Sequence, residues 1–165
     1  MIALVALLID YFLASSDEQA RAVIDWPGGP GKSAPKKGLF GRPHTPGLPM
    51  LEGPGVEPVV NLGMFEELLT GRTFDEQLGD PLSRVIVANR DGGERLVIRI
   101  GDGFISAIAD SDPNRLQELA TPWSQIEEFY GQADPADLSR FLLRLRELAA
   151  QATSSNQHVY CWICV

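Results

Sequence analysis

DPADLSRFLLRLRELAAQATSSNQHVYCWICV, residues 134–165, carries the two clearest structural signals in the chain. Asp134 is placed to cap a helix, and Pro135 suits its first position, where a missing N–H breaks no hydrogen bond. From there Leu138, Phe141, Leu142, Leu145, Leu148, Ala149 and Ala152 recur at i, i+3, i+4 and i+7, with Arg140, Arg144 and Glu147 off the stripe. A helix so patterned must bury one face. After the break at Ser154-Ser155-Asn156, His158 to Val165 is rich in β-branched and aromatic residues, and apolar side chains fall on both alternating sets. That pattern predicts a central strand, with Cys161 and Cys164 pointing to opposite faces.

Toward the N-terminus, Asn89-Arg90-Asp91-Gly92-Gly93 reads as the turn between Val85-Ile86-Val87 and the alternating Leu96, Ile98 and Ile100. A two-stranded ribbon is marginal alone, so this hairpin is expected to pair with the N-terminal strand, the C-terminal strand, or both. Phe104 to Ala109 and Asn114 to Ala120 read as short helices divided by Asp110-Ser111-Asp112-Pro113. Thr121-Pro122-Trp123 reads as the start of another, covering Ile126, Phe129 and Tyr130. Pro58 to Thr70 returns to helical spacing, with Leu62, Phe65, Leu68 and Leu69 apolar, Glu66 and Glu67 expected in solvent, and Gly71 placed to end the helix.

Ala3 to Phe12 is a continuous apolar run that suits a strand buried on both faces. Ser15 and Ser16 can cap the helix that follows, which carries Asp17 and Glu18 in its first turn and ends before Pro27. Between Pro27 and Pro58 the composition shifts to Pro and Gly and no period can be traced, so residues 27–58 read as a long loop or insertion.

The expected fold is a single α+β domain over residues 1–165. It combines a small mixed sheet, including the N- and C-terminal strands and the central hairpin, with several helices packed against it. An apolar fraction of 44% in 165 residues is enough for an ordinary core. A net charge of −8 repels phosphate backbones, and only the Lys32, Lys36, Lys37, Arg42 run interrupts it, so nucleic acid is not an expected partner. MIALVALLIDYFL lacks a basic n-region and a small-residue cleavage site and carries Asp10, so a signal peptide is not expected. The run is also shorter than the roughly 20 residues that span a bilayer, so no membrane partner is expected either. With only Cys161 and Cys164 and no disulfide framework, the cytoplasm is the simplest compartment.

Three segments together resemble the YfbM-like family of uncharacterised bacterial proteins. They are the apolar helix ending Glu67-Leu68-Leu69-Thr70-Gly71, the stretch Asp80-Pro81-Leu82-Ser83-Arg84 leading into an apolar strand, and the order of short helices, Glu128-Phe129-Tyr130, long helix and terminal strand. The resemblance covers about Val56 to Val165. Val60, Leu62 and Gly63 stand where those proteins often carry Lys, Trp and His, and the Pro/Gly-rich segment from Pro27 to Pro58 looks peculiar to this branch. The resemblance implies the fold and brings no catalytic residues with it.

Candidate chemistry is sparse. Gly28-Gly29-Pro30-Gly31-Lys32-Ser33 ends like a phosphate loop, but Trp26 occupies the required first glycine position and Ala34-Pro35 opposes helix entry. Cys161-Trp162-Ile163-Cys164 has dithiol spacing, yet the strand pattern supplies no helix N-terminus to lower a thiol pKa, and one pair is half a zinc site. No metal or cofactor is therefore expected. Nucleophilic catalysis has no Gly-x-Ser-x-Gly and only two histidines. Trp123, Glu127 and Tyr130 lie at spacings of four and three, so a continuous helix would present them on one face with Glu128 beside them. These four are the first site candidates, with Trp26 and His44, beside and within the Pro/Gly-rich segment, as further binding candidates.

Small size, acidity and one unpatterned loop point to an interaction module, of the immunity, inhibitor or accessory kind, whose partner is another protein. The competing expectation is an enzyme or small-ligand binder with a pocket near Trp123, Glu127 and Tyr130, which predicts a concave apolar cavity with convergent polar groups. A homodimer is the third.

Overall fold

The structure is a computed structural model that describes residues 7–31 and 47–165. The C-terminal signals fold as read. Asp134 caps a helix over Pro135–Ser155 (designated α6), its side chain accepting from the Ala136 N–H at 2.8 Å. Asn156, at φ 54°, ends that helix in the left-handed conformation that Asn tolerates better than most residues. The chain then enters the strand His158–Cys164 (β5).

Strands Leu8–Ala14 (β1), Met50–Glu52 (β2), Arg84–Arg90 (β3) and Arg95–Ile100 (β4) join β5 in one sheet of order β2-β1-β5-β4-β3. β5 is central, and it pairs with both the N-terminal strand and the hairpin. Every pairing is antiparallel, so the sheet is not the mixed one expected. The reason is connectivity: the long α6 returns the chain to run against both neighbours of β5. The N-terminal strand lies at Leu8–Ala14, shifted from the expected Ala3 to Phe12, and residues 1–6 are outside the described residues. The Pro/Gly-rich stretch is not wholly a loop, because Met50–Glu52 pairs with β1 through Tyr11 opposite Leu51.

Helices cover both faces of the sheet. On one side lie Val60–Thr70 (α2), Asp102–Asp110 (α4), Pro113–Ser124 (α5) and α6, which bury Ile9, Tyr11 and Leu13 of β1 together with Val159 and Cys161 of β5. On the other, Asp17–Ala22 (α1) and the 3-10 turn Val23–Asp25 cover Phe12, Ala14, Tyr160 and Trp162. Ser16 caps α1 by accepting from the Gln19 N–H at 3.2 Å, and the 3-10 turn ends before Pro27. A short helix, Phe74–Gly79 (α3), follows α2 through a capping box between Thr73 and Glu76.

Pro122 does not open a new helix. It sits inside α5, which runs on to Ser124 and stops. Its missing N–H costs the α5 ladder a hydrogen bond near the end of the helix, where few turns depend on it, so one helix forms where two were expected.

The two cysteines divide as the alternation requires: Cys161 is fully buried on the α6 side, while Cys164 packs at the margin of the opposite core. Burial pushes the Cys161 thiol well above its ordinary value. A thiol reagent in native buffer is therefore expected to modify Cys164 first and Cys161 only on unfolding. Equal labelling rates by mass spectrometry would contradict the central placement of β5.

Candidate functional site

Arg84 and Arg99 lie on neighbouring rungs of the β3–β4 ladder, with Arg84 opposite Ile100 and Val85 opposite Arg99. Successive strand residues point to opposite faces. Arg84 therefore joins the α2 side, and Arg99 joins the α1 side next to Tyr160, its rung partner on β5. The chain leaves β4 through Gly101, whose N–H donates to the Ser83 carbonyl at 2.9 Å. A Cβ there would stand 3.1 Å from the carbonyl oxygens of Leu82 and Ser83, so the close crossing favours glycine. Around this end of the sheet opens a cleft of about 600 Å³, lined by charged groups together with Leu82, Val85 and Phe104.

Its floor is an ion pair. Glu66, expected in solvent, is only 2% exposed. Positions 62, 65, 66 and 69 follow i, i+3, i+4 and i+7, so Glu66 shares the inward stripe of α2 with Leu62, Phe65 and Leu69, whereas Leu68 sits off it. Glu66 Oε2 accepts from Arg84 Nη2 at 3.1 Å and Oε1 from Arg72 Nη1 at 3.4 Å. The rest of the Arg84 guanidinium donates to the Pro58 carbonyl at 2.7 Å and the Ser83 carbonyl at 2.8 Å, and lies 5.3 Å from the Phe104 ring. Burial lowers the Arg84 pKa from its usual value. Arg72 also holds Asp80 at 2.5 Å, and the Leu82 N–H followed by Arg72 draws the Asp80 carboxyl below the ordinary range.

The opposite wall is a second network. Arg99 donates to Asp102 at 2.7 Å and Asp17 at 3.3 Å, and Asp17 accepts from the Tyr160 hydroxyl at 2.7 Å. His158 Nδ1 stands 2.9 Å from both Asp102 and Arg99. Burial raises the Asp102 carboxyl, but hydrogen bonds from His158 and Arg99 outweigh it and the net shift is downward.

The residues expected to form a site do not converge. Trp123 is wholly buried, its indole N–H donating to the Asn61 carbonyl at 2.8 Å and its ring 4.9 Å from Phe65. Glu127 and Glu128 lie in the 3-10 turn Glu127–Phe129, both exposed, and Tyr130 is 86% exposed at φ 52°. The shared face expected of Trp123, Glu127 and Tyr130 is corrected: α5 ends at Ser124, so no continuous helix aligns them. Trp26 packs at the edge of the α1-side core, and His44 lies outside the described residues. The residues missed were Glu66, Arg72, Arg84, Arg99, Asp17, Asp102 and His158. For Glu66 the helical period itself held the signal; for the others the pairing of β4 with β3 and β5 and the packing of α1, α2 and α4 around that end of the sheet were needed.

No protein-family profile, curated protein or solved structure matches the chain. Among the described residues no helix is long and apolar enough to cross a membrane. The class that fold and geometry define is an α+β protein with a charged cleft at one end of an antiparallel sheet.

Removing one partner of a buried ion pair leaves the other charge uncompensated, which costs about 3–5 kcal/mol, whereas replacing both by apolar groups is often neutral. Glu66→Ala is accordingly expected to lose stability in that range by urea unfolding, and Glu66→Leu with Arg84→Met to recover most of it. A double variant as weak as the single one would mean that the ion pair itself contributes net stability to the cleft floor.

Proposed function

We propose that this chain is a small-ligand-binding protein and that the cleft over Glu66 is its site. The observation that carries the reading is the Glu66–Arg84 pair, buried in the floor of a cavity rather than in the middle of a core. An apolar pair would fill that floor without a desolvation penalty, so a charged one points to a role beyond stability. The volume falls in the range of small-molecule sites, roughly 300–1,000 Å³, and the lining combines apolar surface with a few convergent polar groups. Two of the segments that resemble the YfbM-like proteins, around Thr70 and Asp80 to Arg84, border the cleft, and kinship with that family is proposed on the resemblance alone. A reducing cytoplasm suits the two free thiols, which face opposite sides of one strand.

Gly103 offers a direct test. It lines the cleft near the start of α4, and a Cβ there meets nothing within 4 Å. Gly103→Leu should fold at least as stably, since leucine is the better helix former by about 0.5–1 kcal/mol. It should also abolish binding of the fragments that shift the wild-type amides of Gly101 and Phe104. Fragments that bind the variant unchanged would rule out the cleft.

A second reading, a second copy of the chain docked on exposed apolar residues that include Leu82 of the cleft, has one observation in its favour. Leu78, Leu82 and Ile86, four residues apart in sequence, are 62%, 73% and 59% exposed. It predicts a light-scattering mass that rises with concentration and returns to the monomer value in Leu82→Asp.

A further inference from the structure

Resting on the cleft being a ligand site, we propose that its ligand is a zwitterion: a small molecule with a carboxylate and an ammonium on neighbouring atoms and an apolar side chain, as a free amino acid presents. The charges of the lining point there. Asp17, Glu66, Asp80 and Asp102 face Arg72, Arg84 and Arg99, leaving a formal charge of −1. A ligand of one sign would meet fixed charges of its own sign among those of the opposite sign. Both signs are within reach of one guanidinium, because Arg99 holds Asp17 at 3.3 Å and Asp102 at 2.7 Å.

Unused hydrogen-bonding capacity lies on the same wall and has both polarities. Asp17 Oδ1 accepts from Arg99 and Tyr160, whereas Oδ2 has no donor among the described residues. That oxygen is an acceptor for an ammonium. On the other side of Arg99, the first-turn N–H groups of Asp102, Gly103 and Phe104 meet no acceptor among the described residues. Together with the guanidinium they are donors for a carboxylate, which takes several at once. Leu82, Val85 and Phe104 supply the apolar surface for the side chain.

The test is a titration of the full chain followed by two-dimensional amide NMR. The probes are L-phenylalanine, N-acetyl-L-phenylalanine, which lacks the ammonium, and L-phenylalaninamide, which lacks the carboxylate. L-phenylalanine is expected to shift Gly101, Gly103 and Phe104 saturably, and each analogue to bind at least about tenfold more weakly, as the loss of one charge-assisted contact predicts. Asp17→Asn should weaken L-phenylalanine by a similar factor and erase its advantage over the N-acetyl form. Should that variant not fold, the two analogues on the wild-type chain decide the matter alone. An analogue that binds as tightly as L-phenylalanine overturns the zwitterion. If uncharged or singly charged fragments shift the cleft amides while L-phenylalanine does not, the zwitterion is overturned and the cleft stands as a site. If no probe shifts them, both fall.

Discussion

Covering β5 on both faces is the constraint on which the rest of the fold depends. Its side chains alternate between two cores, with Val159 and Cys161 under α6 and Tyr160 and Trp162 under α1. A strand in that position has no solvent face, so each neighbour must supply a ladder on one edge and each layer a cover on one side. β1 and β4 supply the ladders, and seven rungs join β1 to β5 from Leu8 opposite Cys164 to Ala14 opposite His158. That length of pairing fixes the register, because a slip of one residue would exchange the contents of the two cores.

The cleft follows from the same arrangement. Where β4 ends, the layers on the two faces part, and the chain turns through Gly101 into α4. The last rungs carry Arg99 toward one layer and Arg84 toward the other, so charge collects where the two cores run out. Each guanidinium is then held by carboxylates within its reach: Arg84 by Glu66 from α2, and Arg99 by Asp17 from α1 and by Asp102, the first residue of α4 where the chain leaves the sheet. In the floor Arg84 is held at several points, by backbone carbonyl partners as well as Glu66 and by packing against Phe104. The upper walls are built from the more exposed Arg72, Asp80 and Asp102.

Much of the fold was legible in the chain. Strong local signals gave α6 with its Asp134 cap, the terminal strand, the hairpin around Asp91 to Gly93, and the helix that Gly71 ends at φ 77°. Errors arose where a local signal competed with tertiary context. Pro122 reads as a helix start but is accommodated within α5. Met50–Glu52 is too short to show a period and becomes a strand only because β1 offers an edge. Glu66 reads as solvated by residue type, although its spacing from Leu62 and Phe65 puts it inside. The candidate site was hardly legible, because its residues come from segments far apart in the chain.

By itself the sequence determined the α+β class, the central place of the strand containing Cys161 and Cys164, and the opposite facing of those two thiols. Periodicity and capping are local, and a strand apolar on both faces can only be interior. Tertiary structure alone decided that Glu66, Arg84 and Arg99 gather at one cleft while Trp123, Glu127 and Tyr130 separate. Which charges meet depends on the order and register of strands far apart in sequence, and no local pattern encodes that.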